Sequence, residues 1–168
     1  IMFENQFAKA RLFAENHEPL MVYCLETALQ INITELSESL REIYVMAYTL
    51  PSTSEYIYRS TAIQIKNIFA AYMPDAEDKD FYEMDIASGS ITRGFMAKPC
   101  DMYFTLDRKL RRYLDCCLKL YNVPTEKRNS LIEAVLAVDL NSVAAKLIEE
   151  IVAKAETGLE EAIGNKIT

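Results

Sequence analysis

Glycine and proline are scarce in this chain, four and five among 168 residues, while 51% of the residues are hydrophobic and 26% charged. Such a composition excludes disorder, collagen-like sequence and low-complexity linkers, and it leaves one domain large enough to bury a core without disulfides or a structural metal. No apolar run approaches the roughly 18–20 residues that span a bilayer, and no basic, then apolar, then small-residue leader opens the chain. A cytoplasmic protein with no membrane partner is therefore expected. An excess of basic residues is also missing: the net charge is −7 and the isoelectric point about 4.8. The body repels a phosphate backbone, so the chain is not by itself a nucleic-acid binder. Cys24, Cys100, Cys116 and Cys117 lack the spacing of a metal knuckle or disulfide framework and read as reduced thiols. The first residue is Ile1 rather than methionine, so the expectation is a fragment whose natural N-terminal part is missing.

Catalytic constellations are absent as well. The single histidine, His17, lies in the polar turn "AENHEP" beside Glu15 and Glu18 with no nucleophile spaced near it. Carboxylates fall as scattered helix-surface charges without the Glu-x-x-His motifs of di-iron bundles. The glycines of "SGSITRG" follow no strand and precede no Gly-Lys-Ser/Thr, so they do not cradle phosphate. The chain is expected not to be an enzyme, and to hold neither a metal nor a cofactor.

What is present is helical punctuation. Pro19 suits the first turn of a helix carrying Leu20, Tyr23, Cys24, Thr27, Ala28 and Ile31, and Asn32 or Thr34 is expected to start a second with Leu36, Leu40, Ile43, Tyr44, Ala47 and Tyr48. Ser52 followed by Glu55 reads as a capping box opening a helix that runs to about Tyr72. Asp75 or Asp78 is expected to cap the next helix, which Pro99 ends. Thr105 caps a helix whose stripe is Leu106, Leu110, Tyr113, Leu114, Cys117, Leu118 and Tyr121, with Arg108, Lys109, Arg112 and Lys119 pointing away. In it, Asp107 precedes Arg111 by four and Arg111 precedes Asp115 by four, a spacing that predicts intrahelical pairs. Pro124 starts another helix, and a last one follows Asp139. No period-two alternation competes, so the fold class is all-α.

Two features bear on function. Ala87, Ser90, Gly94 and Ala97 fall at spacings of three, four and three, one narrow seam of small side chains against which a second helix can lie closely, either within the subunit or from a symmetry mate. The first half is rich in aromatic residues and methionine: Tyr23, Tyr44, Met46, Tyr48, Tyr56, Tyr58, Phe69 and Tyr72 lie on successive helices. Tyrosine brings bulk and a hydroxyl that wants a partner, so several turned inward suit a partly polar cavity as well as a core.

The run "FYEMDIASGSITRGFMAKPCDMYFTLDRKLRRYLDCCLKLYNVP" (81–124) and "LREIYVMAYTLPSTSEYIY" (40–58) resembles the C-terminal regulatory region of TetR-family transcriptional regulators. The resemblance implies a helical bundle of about six to eight helices that binds a small effector and dimerises. Residues 1–15 then resemble the connecting helix to the DNA-reading head, 18–73 the pocket helices and 78–158 the dimerisation helices, with a tail over 159–168. The expected pocket wall is Tyr23, Thr27, Tyr44, Tyr48, Ile63, Phe69, Met84 and Ser88, and the expected homodimer contact is the seam of Ala87, Ser90, Gly94 and Ala97. The family's DNA-binding helices are not in this chain, so DNA would be contacted only through a missing N-terminal domain. A helical protein-interaction or adaptor domain with no small-molecule ligand is the alternative.

Overall fold

The computed structural model describes residues 18–164. In chain order its helices are α1 (Pro19–Leu36), α2 (Glu38–Thr49), α3 (Pro51–Phe69) with a 3-10 turn at Ala70–Tyr72, α4 (Asp78–Ala97), α5 (Leu106–Leu120), α6 (Thr125–Leu136) and α7 (Leu140–Gly164). Among the described residues there is no strand, and the expected all-α bundle of six to eight helices is found with seven. Residues 1–15, expected as a connecting helix, lie outside the described residues, as do Ile1, His17 and 165–168. No described helix is long and apolar enough to cross a membrane.

α1 is buried on nearly every side, from Leu20 to Thr34, and touches all six other helices. A helix apolar all round belongs in the middle of a bundle. It also runs further than expected. Thr34 does not start a new helix, because its hydroxyl donates back to the Ile31 carbonyl at 2.7 Å, a bond that a threonine inside a helix makes. The break comes at Ser37, which is extended and accepts the Leu40 N–H at 3.3 Å as N-cap of α2.

Other helix starts also shift by a residue or two. Pro51 takes the first position of α3, which leaves Ser52 inside the first turn and makes Leu50 the cap, so no Ser52–Glu55 box forms. Glu55 instead holds Arg59 at 2.5 Å and accepts the Tyr82 hydroxyl at 2.7 Å, tying α3 to α4. Glu77, not Asp75 or Asp78, caps α4, and Asp80 accepts the Glu77 N–H at 2.7 Å. Thr105 caps α5 as expected. α5 ends in a Schellman turn: Asn122 N–H reaches the Lys119 carbonyl at 3.0 Å and Val123 N–H the Leu118 carbonyl at 3.1 Å. Asn122 there has φ 58°, and Pro124 then caps α6.

The α5 stripe faces the core, with Tyr113, Leu114, Cys117, Leu118 and Tyr121 fully buried. One expected outward residue does not face out. Lys109 is completely buried, its ammonium on the Glu35 carboxylate and 2.6 Å from the Lys98 carbonyl. Glu35 also accepts the Cys100 N–H at 2.9 Å, so the pair fastens the segment between α4 and α5 to the end of α1. Burial raises the Glu35 carboxyl, but the hydrogen bonds from Lys109 and Cys100 outweigh it and hold it below its ordinary value. Arg111 pairs with Asp107 at 2.9 Å as expected. It does not pair with Asp115, which joins Arg128 at 3.0 Å and Lys119 at 3.2 Å, while the Arg111 guanidinium grips Glu133 of α6.

Candidate functional site

α4 carries its buried residues at Phe81, Asp85, Ser88, Gly89, Thr92 and Met96, steps of four and three that keep one face on the core. Asp85 is the anomaly on that face, a carboxylate only 7% exposed where the pattern asks for an apolar side chain. Around it α1, α2, α3 and α4 leave a cavity of about 70 Å³. α1 contributes Tyr23, Glu26, Thr27 and Gln30, α2 contributes Tyr48, and α3 contributes Ile57, Tyr58, Thr61, Gln64, Ile65 and Ile68. Asp85, Ser88, Gly89 and Thr92 form the α4 wall.

Asp85 is short of donors. Thr61 lies against Asp85 Oδ2, but the same hydroxyl is 2.8 Å from the Ile57 carbonyl and has one proton for both. Ser88 Oγ is divided in the same way, 3.3 Å from Asp85 Oδ1 and 3.1 Å from the Asp85 carbonyl, and it accepts the Tyr121 hydroxyl at 3.1 Å. Burial therefore pushes the Asp85 carboxyl up to about 6, with the Thr61 and Ser88 hydroxyls offsetting only part of that cost. The phenols of Tyr48, Tyr58 and Tyr121 are each raised, first by burial and further by the Asp85 charge. A second hydroxyl pair, Thr92 and Tyr113 at 3.0 Å, continues the polar layer toward α5.

Gly89 explains why a glycine interrupts α4. A Cβ there would stand 2.6 Å from Tyr58 Cε1, so the missing side chain is the seat of the Tyr58 ring, which forms one side of the cavity. Gly94 is different, because nothing lies within 4 Å of its Cβ position. Ser90, Gly94 and Ala97 are exposed and Ala87 half-buried, so none of the described helices covers the seam.

Of the expected wall residues, Tyr23, Thr27, Tyr48 and Ser88 come together at the cavity. Tyr44 and Phe69 are fully buried in the core instead. Phe69 stacks on Tyr121 with centroids 3.9 Å apart and meets Tyr23 edge-on at 5.0 Å. Met84 is half-buried against the core, and Ile63 is 71% exposed on the outer face of α3 and takes no part in the cavity. Tyr58 belongs to the tyrosine group expected to suit such a cavity, though not to the expected wall, and Thr61, Gln30, Gln64 and above all Asp85 were not foreseen. The signal for Asp85 was available: it stands four residues after Phe81 and seven before Thr92, on the buried stripe.

A larger depression of about 520 Å³ lies between α5 and α6, walled by Phe104, Arg108, Arg111, Arg112, Asp115, Asn129, Ile132 and Glu133. Its Arg111, Asp115 and Glu133 are already engaged in ion pairs and Arg108, Arg112 and Asn129 are exposed, the character of a solvated groove. The buried carboxylate makes the smaller cavity the chemically distinctive one. Among the thiols, Cys24 and Cys117 are buried, and burial pushes Cys117 up to about 12 and Cys24 above its ordinary value, which keeps both protonated. No family model, curated protein or solved structure matches the chain.

Proposed function

We propose that this chain is the ligand-sensing and dimerisation domain of a TetR-like transcriptional regulator, binding a small amphipathic or aromatic effector. DNA is contacted only through an N-terminal helix-turn-helix outside this chain, and the effector alters the operator affinity of that head. The observation that carries the reading is the partly polar, tyrosine-lined cavity around Asp85 between α1, α2, α3 and α4 of an all-helical bundle. At about 70 Å³ it is far smaller than the roughly 300–1,000 Å³ of a typical ligand site. On this reading an effector needs more room than the cavity offers, and displacing the Tyr58 ring from its seat on Gly89 would supply it. α3 and α1, which share that wall, would then be the elements whose positions differ between the free and bound states. A ligand shifts that equilibrium only by its difference in affinity for the two.

The outward-facing seam of Ser90, Gly94 and Ala97 supports the homodimer half of the proposal, since a symmetry mate can approach a helix bare of large side chains. The test is thermal melting against a broad library of small amphipathic and aromatic compounds, where a binder raises the melting temperature by mass action. Flat curves across the library would instead favour the adaptor reading. That alternative has one observation of its own, the exposed apolar side chains Ile43 and Met46 on α2 with Leu36 and Leu50 just beyond its two ends, whose exposures run from 45 to 55%.

A further inference from the structure

We infer that the ligand of this cavity carries a positively charged nitrogen, an amine or a comparable organic cation, seated on the Asp85 carboxylate with its apolar part among Tyr23, Tyr48 and Tyr58. The inference rests on the sensor reading above and narrows it to a chemical class.

A carboxylate taken out of water is normally matched by a cation or by several committed donors. Asp85 has neither among the described residues. Among the described residues no lysine, arginine or histidine lines the cavity, and the hydrogen-bonding neighbours of the carboxylate there, Thr61 and Ser88, share their single protons with backbone carbonyls. The other wall groups include a second carboxylate, Glu26, and the amides of Gln30 and Gln64. An anionic ligand would bring a second negative charge against Asp85, and a neutral one could supply donors but no opposite charge. An ammonium group supplies both the charge and the donors. The tyrosine rings suit the same guest, because a cation is attracted to an aromatic face and a desolvated contact of that kind is worth more than an exposed one. The small volume suits a compact charged head.

Lys109, by contrast, shows how this chain matches a buried charge it intends to keep closed. Its ammonium has both a carboxylate and a carbonyl within the fold. Asp85 is the opposite arrangement, a buried charge whose complement has to come from outside.

The experiment is isothermal titration of the purified chain with three probes of matched shape, benzylammonium, benzyl alcohol and benzoate, extended to methylammonium, butylammonium and guanidinium. The expected result is binding by at least one of the cations, with benzyl alcohol and benzoate weaker by tenfold or more, and with tenfold or greater loss of the cation's affinity in Asp85→Asn. The charge comparison is made on the unaltered chain, so it stands whether or not the variant folds. Binding of benzyl alcohol or benzoate as tight as that of the cations, or cation binding unchanged by Asp85→Asn, overturns the cation assignment and leaves the sensor reading standing. If the cations and the broad library both fail to bind, the assignment and the sensor reading fall together.

Discussion

Asp85 and Lys109 are two charges buried on neighbouring helices, and the fold matches them in opposite ways. In an unfolded chain an aspartate titrates near 3.9, whereas folding pushes Asp85 up to about 6. The folded state holds that proton more tightly, so the stability owed to neutral Asp85 is full below the unfolded value and is lost as pH rises through about 6. A displacement of that size corresponds to about 3 kcal/mol. Asp85→Asn cannot ionise. Its unfolding free energy, measured by urea titration, is expected to gain on that of the unaltered chain by about 2 kcal/mol between about pH 4 and about pH 7.5. A difference that stays level across that interval would remove the account of a desolvated carboxylate.

Lys109 answers to the other rule. Removing one member of a buried ion pair strands its partner, at a cost of about 3–5 kcal/mol, while replacing both by apolar groups recovers much of the loss. Lys109→Met is expected to destabilise the fold by about 3 kcal/mol, and Lys109→Met with Glu35→Leu by clearly less than the two single changes combined. The Cys100 N–H, which would lose its acceptor in the double variant, keeps the recovery partial. Denaturant melts that find the two changes additive would show that the pair is not coupled. Neither residue's place was evident from its type. Lysine in a run of four basic residues reads as a solvated face, and only the turn of α5 toward the end of α1 puts position 109 inside.

At the scale of the element, α4 is a helix with two glycines that serve different ends. Gly89 makes room for Tyr58, and Gly94 lies on the open face. Gly→Ala inside a helix ordinarily gains about 1 kcal/mol in propensity. At position 89 the new Cβ must push the Tyr58 ring aside, and overpacking of that kind costs roughly 1–3 kcal/mol. Gly89→Ala is therefore expected to lower stability by about 1 kcal/mol alone and to raise it by about 1 kcal/mol in a Tyr58→Ala background. Equal effects in both backgrounds, read from thermal or urea melts, would sever the link between the glycine and that ring. Helix identities were legible in the positions of Pro19, Thr105, Pro124 and Asp139, because these residues act through their own backbone or through a cap one turn away. The boundaries near Thr34, Ser52 and Asp75 were less so. Thr34 sits inside α1, Ser52 inside the first turn of α3 behind Pro51, and Asp75 in the turn before α4, and residue type by itself does not choose among these places.

For the molecule as a whole, the arrangement has α1 at its centre, α3 and α4 enclosing the cavity against it, and the bare face of α4 turned outward. If that face meets a second copy, Gly94→Leu places a large side chain where the two backbones approach, and sedimentation is expected to show a dimer becoming a monomer. In a lone subunit the same change fills open space and leaves the mass as it was. An unchanged mass removes the seam from any interface. The same geometry sends the two glycines to different duties, as their spacing of five residues on a helix of 3.6 residues per turn requires.

Read alone, the chain established that it folds as helices, roughly how many, and which stripe of α5 turns inward, because three-and-four spacing and capping chemistry are local and act within a turn or two. It also indicated that tyrosines gather in the first half. Which of them border a hollow and which fill the core, why Asp85 is desolvated, and where Lys109 finds its partner were decided only by the tertiary structure. Those outcomes depend on contacts between residues 24 to 74 positions apart, and helical spacing says nothing of how one helix is rotated against another.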